Sequence, residues 1–123
     1  LEKIQRKKTG ELIHAACKMS YSISNFFEPS VQENISKLAY LLGQLYQITD
    51  DILDSTSTSE NLGKTSGKDQ KDNKATYVSI LGVVKSKKIK EGFYLEIKKL
   101  VKKIPGNTQI LNHLIDKIYA RDY

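Results

Sequence analysis

The 123-residue chain contains one cysteine, one methionine, two prolines and no tryptophan. With Cys17 alone, no internal disulfide can form, which suits a reducing compartment. No apolar run approaches the roughly 18–20 residues that a membrane-spanning helix needs, and the first residues lack the basic-then-apolar layout of a secretory leader. A soluble, cytoplasmic protein without a membrane span is expected. Neither His14 nor His113 belongs to a set of histidines and cysteines that could complete a zinc site, so neither is expected to bind metal. There is no glycine-rich nucleotide fingerprint and no internal repeat. The chain opens on Leu1 inside a helical pattern with no N-cap before it, so a piece of something longer is expected.

Twenty Lys and Arg against fourteen Asp and Glu leave a net charge of +6. Such a balance favours anionic partners: nucleic acid, an anionic membrane or a phosphorylated small molecule. The positive charge is interleaved with acid and forms no stripe with aromatic residues, so no nucleic-acid partner is expected. The length suits one domain over residues 1–123.

Apolar spacing makes the chain all-α, with five helices. The first covers residues 1–19, with Ile4, Leu12, Ala15 and Ala16 facing inward and Lys8 on the same stripe. A lysine there either snorkels along its stem or meets an anion. Ser30 and Glu33 form a capping-box pattern, so the central helix should run from Val31 to Asp54 or Ser55. Leu38, Leu41, Leu42, Leu45, Ile48 and Ile52 lead a broad buried arc on that helix. A short helix over residues 75–85, weakened by Gly82, should follow. Another begins at Ser86 and stops at Pro105-Gly106, and a last one follows Asn107.

The opposite arc of the central helix carries Ser36, Tyr40, Gly43, Gln47, Asp50, Asp51 and Asp54, a pattern that reads as the wall of a polar cavity. At about 100° per residue, Gln47, Asp50, Asp51 and Asp54 share one stripe, where like charges repel. Three carboxylates near a helix C-terminus also meet the wrong end of its dipole. A solvated acidic face is the plainer reading, but a hard cation with oxygen ligands explains them better. Residues 55–73 read as a long Ser-, Thr-, Gly- and Lys-rich loop. It is either a flexible linker or a lid whose Lys64, together with Lys74, reaches phosphate oxygens.

Four blocks stand in register: Lys8-Thr9-Gly10, the run Gln47 to Asp54, Leu62-Gly63-Lys64 with Gly67 and Asp69, and Asn73 to Tyr77 with Ser79 and Leu81-Gly82. Together they resemble the C-terminal half of the trans-isoprenyl diphosphate synthases, the farnesyl and geranylgeranyl diphosphate synthase family. Asp50-Asp51-x-x-Asp54 looks like that family's second aspartate-rich motif. Related terpene cyclases mix Asn or Asp with Ser or Thr and Glu at the corresponding motif, so the Asp50-Asp51-x-x-Asp54 pattern favours chain elongation.

The resemblance implies the helical isoprenoid synthase fold and a Mg²⁺-dependent condensation of isopentenyl diphosphate with an allylic diphosphate. In the family, Mg²⁺ and basic side chains hold the allylic diphosphate. Ionisation leaves an allylic cation, the isopentenyl double bond attacks it, and a proton is lost to the departing pyrophosphate. By position, Asp50, Asp51 and Asp54 belong to the metal site and Lys8, Lys64 and Lys74 to the diphosphate clamp. Gln47 and Thr9 line the allylic pocket, and Arg121 loosely matches a C-terminal basic residue near isopentenyl diphosphate. The family's first aspartate-rich motif lies in an N-terminal half that has no counterpart here. The chain alone is therefore expected to have little activity, to expose apolar surface and to form homo- or hetero-oligomers. It should need the missing N-terminal half or a synthase homologue. The alternative is a non-catalytic partner subunit or a remnant.

Overall fold

The computed structural model describes residues 10–24, 28–61 and 76–121, with side chains as far as residue 56 in the second stretch. It is all-α, as expected: no strand occurs among the described residues. Among the described residues five helices follow in order: α1 (Glu11–Ser22), α2 (Pro29–Asn61), α3 (Tyr77–Leu81), α4 (Val83–Val101) and α5 (Gln109–Tyr119). The 33-residue α2 is roughly 50 Å long at about 1.5 Å per residue, and the others pack around it.

Its apolar arc feeds two clusters. Leu38, Leu41, Leu42 and Leu45 meet Ile97, Leu100 and Val101 of α4 and Ile115 of α5. One turn further on, Ile48 and Ile52 meet Tyr77, with Ile89 and Phe93 of α4 alongside. Leu45, Ile48, Ile97 and Ile115 are fully buried, and each such side chain contributes about 1.5–3 kcal/mol. α4 thus binds α2 along much of its length and fixes the orientation of its acidic stripe.

Three boundaries differ from expectation. α2 begins at Pro29, where the fixed proline φ suits a first helical turn, and the Val31 and Gln32 amides donate to the Glu28 carbonyl. The Ser30–Glu33 capping box is therefore absent. Glu33 instead pairs with Lys37 at 2.7 Å, which holds its carboxyl below the usual range. At the other end α2 continues to Asn61, so the loop expected from residue 55 is helical for its first seven residues. Ser55 Oγ donates to the Ile52 carbonyl, and Thr56 Oγ1 donates to those of Ile52 and Leu53. Hydroxyls that bond back onto the preceding turn are compatible with a helix. The rest of that loop, with Lys64 and Lys74, lies outside the described residues.

The single helix expected over residues 75–85 is split at Gly82, whose φ of +78° breaks the helix where only glycine is unstrained. The α4 start thus moves ahead of Ser86, whose Oγ donates to the Gly82 carbonyl at 2.8 Å. A capping box is present at α3: Thr76 Oγ1 accepts from the Ser79 amide, and Ser79 Oγ accepts from the Thr76 amide.

The facing of α1 is also reversed. Leu12 is 73% exposed and Ala15 and Ala16 are exposed, whereas Ile13 packs on the core. The cause is a close helix approach. A Cβ on Gly43 would stand 2.8 Å from the Gly10 Cα, so these two glycines set the rotation of α1 against α2. Lys8 lies outside the described residues. Gly43→Ala is expected to push α1 outward. Overpacking of about 1–3 kcal/mol exceeds the helix-propensity gain of about 1 kcal/mol. Urea unfolding should show a net loss, and hydrogen exchange should show it concentrated in α1.

A polar clasp joins α4 to α5. Asp116 Oδ1 accepts from Lys98 Nζ and Tyr94 Oη, each at 2.9 Å. The Lys98 bond, then that of Tyr94, holds the Asp116 carboxyl below its usual value, and the same bond to Asp116 raises the Tyr94 phenol. A lowered carboxyl stabilises the fold above its unfolded value of about 3.9, and this is lost as pH falls through the lower folded value. A raised phenol stabilises below about 10 and is lost as pH rises. The stability difference between the wild type and Asp116→Ala should therefore be largest near neutrality and shrink at both extremes. Denaturant titrations at about pH 3, 7 and 11 check this.

Candidate functional site

The C-terminal half of α2 carries the acidic stripe. Gln47 is buried at 7% exposure, Asp50 and Asp51 are half-buried, and Asp54 is exposed. Asp50 and Asp51 are engaged by different parts of the fold. Asp50 Oδ1 accepts from Arg121 Nη1 at 3.2 Å, and the guanidinium lies 5.5 Å over the Tyr46 ring. Asp51 Oδ2 accepts from the Tyr77 amide at 3.0 Å, at the start of α3. The Tyr77 hydroxyl donates to Gln44 Oε1 at 2.6 Å, two turns back along α2. Elsewhere on the same helix, Thr49 Oγ1 is buried with no hydrogen-bond partner among the described residues.

The N-terminal part of the polar arc lines a groove. This groove, of about 560 Å³ between α1 and α2, is lined by Ser36 and Tyr40, with Gly10, Glu11 and His14 opposite. Gly43 is taken up by the helix contact, and Gln47 and the aspartates do not line that groove. A second cleft, of about 520 Å³, flanks the C-terminal half of α2. There Leu53 and Thr56 face Lys87, Lys88 and Lys90 of α4, with Arg121 at its edge. Lys90 lies 5.0 Å over the Tyr119 ring.

Among the described residues, no three of His, Cys, Asp and Glu converge to hold a metal ion. The donors are nonetheless of the right kind. Carboxylate oxygens are hard ligands, and Mg²⁺ usually keeps several waters and takes one or two carboxylates plus substrate phosphates. The stripe fits part of such a coordination shell.

Of the residues singled out from the sequence, Gln47, Asp50, Asp51 and Asp54 do share one face of a single helix. Arg121 reaches Asp50, and Lys8, Thr9, Lys64 and Lys74 lie outside the described residues. Sequence reasoning passed over Gln44, placed Tyr46 only on the buried arc and took Tyr77 only as part of a motif block and a short helix, whereas Tyr77 binds Asp51, and Gln44 and Tyr46 hold Tyr77 and Arg121 in place. It read Lys87, Lys88 and Lys90 as scaffold. The dense positive charge of residues 85–103 marks the lysines in the sequence; nothing local marks the others.

A family profile described as polyprenyl synthetase matches residues 1–118. The chain is 38% identical to a farnesyl diphosphate synthase of Micrococcus luteus over 122 residues, which covers 99% of this chain and 42% of that protein. It is 43% identical to geranylgeranyl pyrophosphate synthase 4 of Arabidopsis thaliana over 91 residues, 74% of this chain and 24% of the relative. A farnesyl diphosphate synthase of Haemophilus influenzae is 33% identical over 111 residues, 89% of this chain and 38% of its own length. The chain thus spans less than half the length of each of these relatives. With the profile match running through the acidic stripe and on into the last helix, the chain belongs to the polyprenyl synthetase family.

Proposed function

We propose that this chain is the C-terminal part of a Mg²⁺-dependent prenyltransferase that condenses isopentenyl diphosphate with an allylic diphosphate, and that it works with an N-terminal half supplied by another chain or segment. The observation that carries the reading is the carboxylate stripe on a helix whose other arc is core, with Asp50 and Asp51 each held by a defined partner. In this reading Asp50, Asp51 and Asp54 would hold the metal, with Asp50 the first ligand, and the Tyr77 amide positions the Asp51 carboxylate by donating to its Oδ2. Bound Mg²⁺ would supply charge neutralisation at the leaving diphosphate. Lys8, Lys64 and Lys74 clamp that diphosphate as point charges, and Arg121 contributes from the C-terminal side. Gln47, buried beside the stripe, and Thr9 line the allylic pocket near the reacting carbon.

The test is a synthase assay with Mg²⁺, isopentenyl diphosphate and dimethylallyl, geranyl or farnesyl diphosphate. The chain is assayed alone and mixed with the N-terminal half of a related enzyme. Product appearing only in the mixture, and lost with Asp50→Ala, is the expected result. Absence of product in both would favour a non-catalytic partner of a synthase.

A further inference from the structure

We propose that Arg121 is a tethered counter-cation of Asp50 that a metal ion must displace to bind there. The inference rests on the reading of Asp50 as a metal ligand. The two residues are 71 positions apart, and the contact is single-point, Nη1 to Oδ1 at 3.2 Å, not the bidentate fork a guanidinium makes in its strongest pairing. Both side chains are partly open to solvent, at 30% and 39% exposure. The pair is therefore weak enough to exchange. The Tyr46 ring, 5.5 Å from the guanidinium, holds the cation at this place.

A guanidinium in contact with Asp50 opposes a divalent cation in two ways. It occupies one carboxylate oxygen, and it places a like charge beside the incoming ion. α5 ends at Tyr119, so Arg121 sits on non-helical chain two residues beyond it and can leave Asp50 without unwinding α5. Arg121 thus occupies Asp50 before metal arrives.

Mn²⁺ serves as the probe, with free ion counted by electron paramagnetic resonance against the intact chain and its Arg121→Gln and Asp50→Asn variants. An exposed or partly exposed pair contributes about 0.2–1 kcal/mol, so Arg121→Gln should bind Mn²⁺ roughly 1.4- to fivefold more tightly than the wild type. Asp50→Asn should bind more weakly. Damage to the fold would not produce a gain in affinity. Unchanged or weaker binding by Arg121→Gln, with Asp50→Asn still impaired, overturns the counter-cation role and leaves Asp50 as a ligand. Asp50→Asn binding like the wild type, or no binding by any of the three, overturns both. In the wild type, the Arg121 Nε–H resonance should shift in step with added Mg²⁺. A signal that stays in place while metal binds also overturns the proposal.

Discussion

Tyr77→Ala is expected to destabilise the chain by about 3–5 kcal/mol, the range for removing a buried aromatic side chain. Tyr77 is 4% exposed and closes the second cluster against Ile48 and Ile52, with the Phe93 ring edge-on at 6.5 Å. Its hydroxyl donates to Gln44 Oε1, and Gln44 is itself 2% exposed. Truncation therefore removes packing and also leaves a buried amide oxygen without this donor. Tyr77→Phe separates the two terms. It keeps the ring and should cost about 1–3 kcal/mol, the penalty for a buried group that loses its partner. Urea unfolding of the three proteins measures both steps. If Tyr77→Phe unfolds like the wild type, the hydroxyl contributes nothing and the aromatic packing alone secures α3. The site is affected as well, because the Tyr77 amide holds Asp51 and α3 follows the segment that carries Lys64 and Lys74.

These couplings define what could be read without coordinates. The apolar arc of α2 repeats at helical spacing over many residues, so its buried members and the stripe opposite followed from periodicity. The end of α2 did not. Ser55 and Thr56 favour loops by composition, yet their hydroxyls bond the preceding turn and the helix continues to Asn61. The helical spacing that puts Leu12, Ala15 and Ala16 inward fails for α1, where Ile13 faces the core. A contact between Gly10 and Gly43, 33 positions apart, decides the rotation instead and leaves Leu12, Met19 and Ile23 exposed. At the site, Gln47, Asp50, Asp51 and Asp54 were legible because they lie on one helix. Their partners, Tyr77 at 26 positions and Arg121 at 71, come from separate elements that only tertiary packing brings together.

Asp50→Ala is expected to lower the rate of the reconstituted enzyme by at least about a hundredfold. Loss of one preorganised group that stabilises developing charge costs about 10²–10³ in kcat. A carboxylate that binds the neutralising metal directly should reach that range, whereas outer groups that only orient a ligand cost about 10–100-fold. Asp51→Asn is the matched comparison. Its amide oxygen can still accept from the Tyr77 N–H, so the smaller loss is expected there. Stability distinguishes chemistry from scaffolding. The Asp50–Arg121 pair is only partly buried, so its loss should change unfolding by no more than about 1 kcal/mol. Steady-state assays over a range of Mg²⁺ concentrations, paired with urea unfolding, make the test. A deep rate loss at near-native stability, partly recovered at high Mg²⁺, is the signature of a metal ligand. A modest rate loss that follows destabilisation, with no response to Mg²⁺, would instead make Asp50 a structural partner of Arg121. The metal would then have to be sought elsewhere.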